Sequence, residues 1–236
     1  SEGCGQDDKL LTIVSSANIC CGLHAGSPSE ILKTLKLAKQ QGLRVGAHPS
    51  FDDRANFGRT NHELPDDEIK AVLLYQLGAT QSLCDWVGVS LDYVKPHGAL
   101  YNQAAKDAHL ANVIVETIKG FNPKLAIMGL SGSELIKATQ QHGIVAESEV
   151  FADRRYEENG ALVARSQPNA VIDNDDEALA QVLQMIKDSS VTSVNGKTIK
   201  VQADSICLHG DSEHAVQFAK RIQAELQQQG IAIQAK

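Results

Sequence analysis

The chain has 236 residues, 42% of them hydrophobic and 22% charged, with a net charge of -7. That balance fits one globular domain over residues 1–236 and excludes a nucleic-acid or membrane surface as the main partner. No apolar stretch approaches the roughly 20 residues of a membrane span, the acidic start "SEGCGQDDKL" has no apolar leader, and five cysteines without a CxxC pair read as reduced thiols, so a cytoplasmic location is expected.

The chain opens on a helix-like "DDKLLTIV" with no strand before it. Strand-like runs follow at Thr12–Asn18, Leu43–Ala47, Tyr93–Lys95, Leu125–Leu130, Ile144–Val150 and Ser205–Leu208, with a further candidate at Ile231–Gln234. Helical patterns lie between them. The first has Ser27 as N-cap, Pro28 at N1 and Glu30 at N3, and runs to Gln41, where Gly42 stops it. A second is expected over Asp66–Val87 and a third over Gln103–Lys119. A fourth should begin at the S-x-x-E box Ser131–Glu134, a fifth covers Asp175–Ser189, and a sixth covers Ser212–Gln229. Strand and helix alternate throughout, which predicts a parallel α/β sheet, closed or doubly wound. Asn195-Gly196, between "SV" and "TIKV", predicts a hairpin with a type I′ turn.

Two connections are longer than βα loops usually are: His48–Pro65 and Phe151–Ile172. Both leave the carboxyl end of a predicted strand, the end at which parallel barrels carry their active sites. Four histidines stand just beyond predicted strands: His24, His48, His97 and His209. His62, His109 and His142 fall in helical or surface contexts. In "YVKPHGALYN", Lys95, His97, Tyr101 and Asn102 cluster around one strand end, a combination suited to an anionic substrate and acid–base work. His24 precedes the helix opened by Ser27, whose free amides favour an anion. His48 lies beside Asp52, Asp53 and Arg54, and His209 beside Asp211 and His214; such groups suit a divalent metal or a base with its orienting carboxylate. Asp153, Arg154, Tyr156 and Arg165 share the second long loop, and arginines there can grip a carboxylate or phosphate.

Familiar nucleotide motifs are absent. Gly196-Lys197-Thr198 resembles the end of a P-loop, but Val191 stands where its first glycine is needed. There is no G-x-G-x-x-G and no G-x-S-x-G.

The blocks "VSSANICCGLHAGSP", "GAHPSFDDRANFGR", "VKPHGALYN", "SGSELI", "VFADRRYEENGALVARSQPNAVI" and "CLHGDSEHA" together resemble the LamB/YcsF family, in order and over nearly the whole chain. The resemblance implies an irregular (β/α)7 barrel of the glycoside-hydrolase and deacetylase type. It implies ATP-coupled hydrolysis of 5-oxo-L-proline to L-glutamate, by a 5-oxoprolinase whose subunits B and C would be the partners. One departure is that family members begin with a strand of the form D-L-N-x-D-x-G-E, to which only Glu2-Gly3 corresponds here. The expected first strand, with its Asp/Asn pair facing the mouth, is missing from this sequence. Under this resemblance Lys95 and Arg154 or Arg165 hold anions, and His97 and His48 are acid–base candidates. His24, His209 and Asp211 orient water or hold a divalent ion, for which His24, His48 and His209 are the candidate ligands. Asp153 orients a histidine, and Tyr101 and Asn102 line the substrate site. Two alternatives stand beside it: a metal-dependent amide hydrolase acting without ATP, and a non-catalytic subunit that binds 5-oxoproline.

Overall fold

The computed structural model describes residues 7–209 and 215–234. The chain runs α1 (Asp7–Leu10), β1 (Ser16–Cys20), α2 (Pro28–Gln41), β2 (Arg44–His48), α3 (Asp66–Val87), β3 (Tyr93–Val94), α4 (Gly98–Ala104) and α5 (Ala108–Phe121). It continues through β4 (Ala126–Leu130), α6 (Glu134–Gln141), β5 (Ala146–Phe151), α7 (Asp175–Lys187), β6 (Ser190–Thr192), β7 (Thr198–Lys200), β8 (Ser205–Cys207) and α8 (Ala215–Gln228). Six strands form one parallel sheet in the order β1-β2-β3-β4-β5-β8, curled into a half-barrel, and β6 and β7 form a separate antiparallel pair.

Local chemistry sets the helix limits. Ser27 accepts from Glu30 N and Glu30 reaches back to Ser27 N, a complete capping box; Gly42 then ends α2 in the left-handed conformation at φ 64°. The helices bury one stripe each against the outside of the sheet. Leu35 of α2, Leu73 and Leu77 of α3 and Ile114 and Ile118 of α5 are fully buried in one cluster. Each such side chain contributes roughly 1.5–3 kcal/mol by leaving water.

The inside of the half-barrel is polar, and the two-residue period of the strands puts it there. Arg44 and Gly46 of β2 meet Tyr93 of β3, and Arg44 pairs with Glu147 of β5 at 2.8 Å. A Cβ on Gly46 would lie 2.1 Å from the Tyr93 ring, so only glycine lets that ring cross the interior. Tyr93 packs with Ala126 and Met128 and donates to Asn18 Oδ1 at 2.8 Å.

Several expectations shift. Thr12 and Ile13 belong to the turn that ends α1, bonding back to Lys9 and Leu10, so β1 starts at Ser16. The helix expected over Gln103–Lys119 is two, because Asp107 accepts from His109 N and Leu110 N and caps a new start. Ser133, not Ser131, caps α6; the Ser131 hydroxyl accepts from Gln202 N. The Asn195-Gly196 hairpin forms, but Gly196 N donates to Ser193 O and Gly196 alone takes positive φ, at 80°. That is a three-residue loop, a type I turn closed by a glycine bulge, not type I′. Ile231–Gln234 forms no strand, so the described residues hold six barrel strands. Ser212, Asp211 and His214 lie outside the described residues.

Candidate active site

The carboxyl ends of the strands open into one cleft of about 900 Å³. His48, Leu130, Phe151 and Cys207 end β2, β4, β5 and β8, and all four line it, as does Lys95 just past β3.

One wall is made of histidines. His48 Nδ1 donates to the Lys95 carbonyl at 2.6 Å, and His97 Nε2 donates to the Phe57 carbonyl at 2.8 Å. The remaining nitrogens, His48 Nε2 and His97 Nδ1, stand 3.0 Å apart. Carbonyls only accept, so two of the four ring nitrogens must carry protons outward, and the N···N bond needs a third between them. Three protons on four nitrogens make one imidazole and one imidazolium. Burial above all, then the neighbouring charges of His97 and Lys95, keep His48 well below the ordinary histidine pKa. The extra proton is shared between the two rings, and both line the cleft. His24 lies behind, flat against His97 with ring centroids 3.8 Å apart. Phe57 meets His24 and His97 edge-on, and its backbone takes the left-handed conformation at φ 56°.

The floor is an ion-pair network. Lys95 Nζ donates to Glu149 Oε1 at 2.6 Å and to Cys207 Sγ at 3.3 Å, and Tyr101 donates to Glu149 Oε2 at 3.0 Å. Lys95 and Glu149 are both buried. The Lys95 pKa is raised although burial opposes its charge, because the Glu149 carboxylate lies beside the ammonium and both Glu149 and the Cys207 sulfur accept its hydrogen bonds. Burial pushes the Cys207 thiol up, so it stays protonated, as an inert core thiol does. Two of the three Lys95 N–H groups are thus engaged internally, leaving one for the cleft.

The opposite wall carries His209, whose Nδ1 lies 2.9 Å from Asp153 Oδ2 and whose ring stacks on Phe151. Burial opposes the Asp153 charge, but the His209 hydrogen bond and charge hold its carboxyl below the usual aspartate value. Arg59, Lys106 and Arg165 line the cleft from exposed positions, as do Asn102 and Asp107, with the half-buried Asp7 beside them. Arg154 also lines it, yet its guanidinium donates to the Ala170 and Val163 carbonyls and so pins the second long loop. Asp53 does the same for the first loop, accepting from Asn56 Nδ2 and Thr60 N, while Arg54 donates to the Gly22 and Gly26 carbonyls. Asp52 is exposed. Tyr156 is a buried core group, and its hydroxyl accepts from Phe151 N at 2.8 Å.

The candidate metal ligands do not converge. His24 and His48 are neighbours, but His209 is held on the other wall by Asp153. Among the described residues no three His, Cys, Asp or Glu side chains form a group that could hold a metal ion. His62, His109 and His142 stay out of the cleft, as expected. Sequence reasoning missed Glu149, Ser50, Gln76 and Phe57. Glu147 and Glu149, two apart in a strand, were the available signal, since period two puts both on one face.

Fold and site together define a barrel protein of the TIM-like kind, with a histidine-walled mouth at its strand ends. The chain belongs to the LamB/YcsF family, whose model matches residues 2–236. It is 58% identical over 233 residues to the A subunit of the 5-oxoprolinase of Histophilus somni (strain 129Pt), covering 99% of this chain and 94% of that protein. It is 53% identical over 235 residues to the A subunit of the 5-oxoprolinase of Neisseria meningitidis serogroup C, covering 100% and 96%. The crystal structure of the lactam utilization protein from Thermus thermophilus superposes with a TM-score of 0.92 at 37% identity, covering 98% of this chain and 93% of that one.

Proposed function

We propose that this chain is the A subunit of an ATP-dependent 5-oxoprolinase, opening 5-oxo-L-proline to L-glutamate. The observation that carries the reading is the full-length identity to proteins of that name, 58% and 53%. The cleft supports it chemically. A five-membered lactam has little strain to drive opening, so coupling to ATP suits the reaction. The lactam oxygen takes a phosphoryl group, and water adds to the activated carbon. The C–N bond breaks as the ring nitrogen takes a proton, and a second water releases phosphate from the γ-glutamyl phosphate.

His97 is the proton donor to the leaving nitrogen: its Nε2–H leaves the Phe57 carbonyl for the lactam nitrogen, while its Nδ1 proton stays shared with His48. His209, oriented by Asp153, is the group that takes a proton from water. Arg165 and Arg59 meet the substrate carboxylate or phosphate at the rim, and the free N–H of Lys95 faces the developing oxyanion. The chain carries no P-loop, which fits a nucleotide step shared with subunits B and C. No helix among the described residues is long and apolar enough to cross a membrane. The buried free thiols Cys20, Cys21, Cys84 and Cys207 suit the reducing cytoplasm.

The test is glutamate release from 5-oxoproline, with and without ATP and with and without subunits B and C. Release only with ATP and both partners supports the reading. Release by this chain alone without ATP overturns it in favour of a simple amide hydrolase. A bound but uncleaved lactam under every condition leaves a binding subunit.

A further inference from the structure

Gln76 sits on α3, wholly buried, behind the histidine wall. All of its amide is used. Oε1 accepts from Ser50 N at 2.9 Å, and Nε2 donates to Ser50 O at 2.8 Å and to Val72 O at 3.0 Å. The Ser50 backbone is thus gripped from both sides, in the loop that leaves β2. The Ser50 hydroxyl donates to Phe51 O at 2.8 Å. Its one proton being spent there, its oxygen can only accept from His24 Nδ1, 2.8 Å away.

This assigns the His24 tautomer. Nδ1 carries the proton, and Nε2 is a bare lone pair, buried and without a hydrogen-bond partner among the described residues. The other tautomer would bury an Nε2–H with no acceptor and turn the Ser50 proton away from Phe51 O, so it is disfavoured on both counts. A second proton is opposed as well: burial first, then the charge of His97, draws the His24 pKa down to about 2. A neutral ring of fixed orientation results, and His97 lies flat on it at an interplanar angle of 7°. Gly58 closes the other side, its Cα so near that a Cβ would fall 2.9 Å from both His24 Cβ and His97 Cδ2.

We propose that Gln76 and Ser50 are positioning residues for proton transfer: by fixing the tautomer and plane of His24 they fix the plane of His97, one of the two paired rings that line the cleft. The proposal rests on the reading of His97 as the acid of lactam cleavage. Neither Gln76 nor Ser50 lines the cleft, so they act through His24 and not on substrate.

Two measurements decide it. The first is the ¹⁵N spectrum of the full chain labelled at histidine, with His24 assigned by its loss in His24→Gln. Wild type should show His24 as the Nδ1–H form alone, and Ser50→Ala should show both tautomers. An Nε2–H form in wild type, or one unchanged tautomer in Ser50→Ala, overturns the relay. The second is turnover of 5-oxoproline by the reconstituted complex. Ser50→Ala and Gln76→Glu should each lower kcat about 10- to 100-fold, with KM within about twofold of wild type. Equal loss in the folded fraction and in kcat would mark a merely structural role and overturn the proposal. Should wild type turn over no 5-oxoproline, the functional reading fails by itself, and the ¹⁵N spectrum still decides whether the relay exists.

Discussion

His48 Nε2 faces His97 Nδ1 at 3.0 Å, and the far nitrogen of each ring already donates to a backbone carbonyl. The pair therefore holds one proton more than two neutral imidazoles, stored at the wall of the cleft. His97→Ala removes that donor. The expected result is a kcat lowered about 10²- to 10⁴-fold, with KM for the lactam little changed. Steady-state kinetics of the reconstituted complex check this, and an unchanged kcat would remove His97 from the reaction.

Acid should destabilise the fold through the same wall. The folded chain keeps His24 and His48 neutral, the first down to about pH 2. Unfolded, both take up a proton near pH 6.5. Stability is full above that value and falls as pH drops below it, by about 1.4 kcal/mol per pH unit for each ring until its folded pKa is reached. Denaturant midpoints measured from about pH 7 down to about pH 4.5 should fall accordingly. His24→Gln should make the fall shallower; an identical slope would show that His24 is not held neutral.

Lys95 and Glu149 are buried against each other at 2.6 Å. Removing one partner strands a charge, so Glu149→Gln should cost roughly 3–5 kcal/mol, while Lys95→Met combined with Glu149→Gln should recover most of it. Urea unfolding of the two singles and the double measures the coupling. Singles that cost under about 1 kcal/mol would mean that water reaches the pair.

Gly58 and Gly98 interlock the two loops that frame His97. A Cβ on Gly98 would lie 2.3 Å from Gly58 O, the atom that accepts from Ala99 N, and Gly98 holds φ at 55°. Gly98→Ala should therefore destabilise by more than 1–3 kcal/mol, the approximate cost of left-handed strain, since a rigid carbonyl must also move. Thermal unfolding reads this directly, and Gly120→Ala is the control, since nothing lies within 4 Å of its Cβ position.

Asp153→Asn keeps the shape of the His209 partner and removes its charge. His209 then faces an amide that can donate as well as accept, so its proton is no longer fixed on Nδ1. A drop in kcat of about 10²-fold or more is expected, by the logic that governs any acid-oriented catalytic histidine. Retained activity would leave His209 a stacking partner of Phe151 only.

The architecture was largely legible because its signals are local. Ser27, Pro28 and Gly42 bound α2 as their cap chemistry requires, and the four strand-end histidines were visible once the apolar runs were placed. What escaped depends on contacts between distant segments. Lys95 looked like an anion binder, and only the fold brings Glu149, 54 positions away, to its ammonium. Ser50 and Gln76 carry no motif, and a buried glutamine within a helix reads from sequence as an ordinary surface residue. Arg154 and Arg165 are alike in sequence, yet one ties down backbone carbonyls and the other stands exposed at the rim.

Tyr93 crosses the interior over Gly46, with the Arg44–Glu147 pair packed against it. Ring and ion pair together fill the interior of the half-barrel at the level of Gly46. A molecule bound in the cleft above that stack therefore has the histidine wall on one side and the exposed Arg59 and Arg165 at its rim.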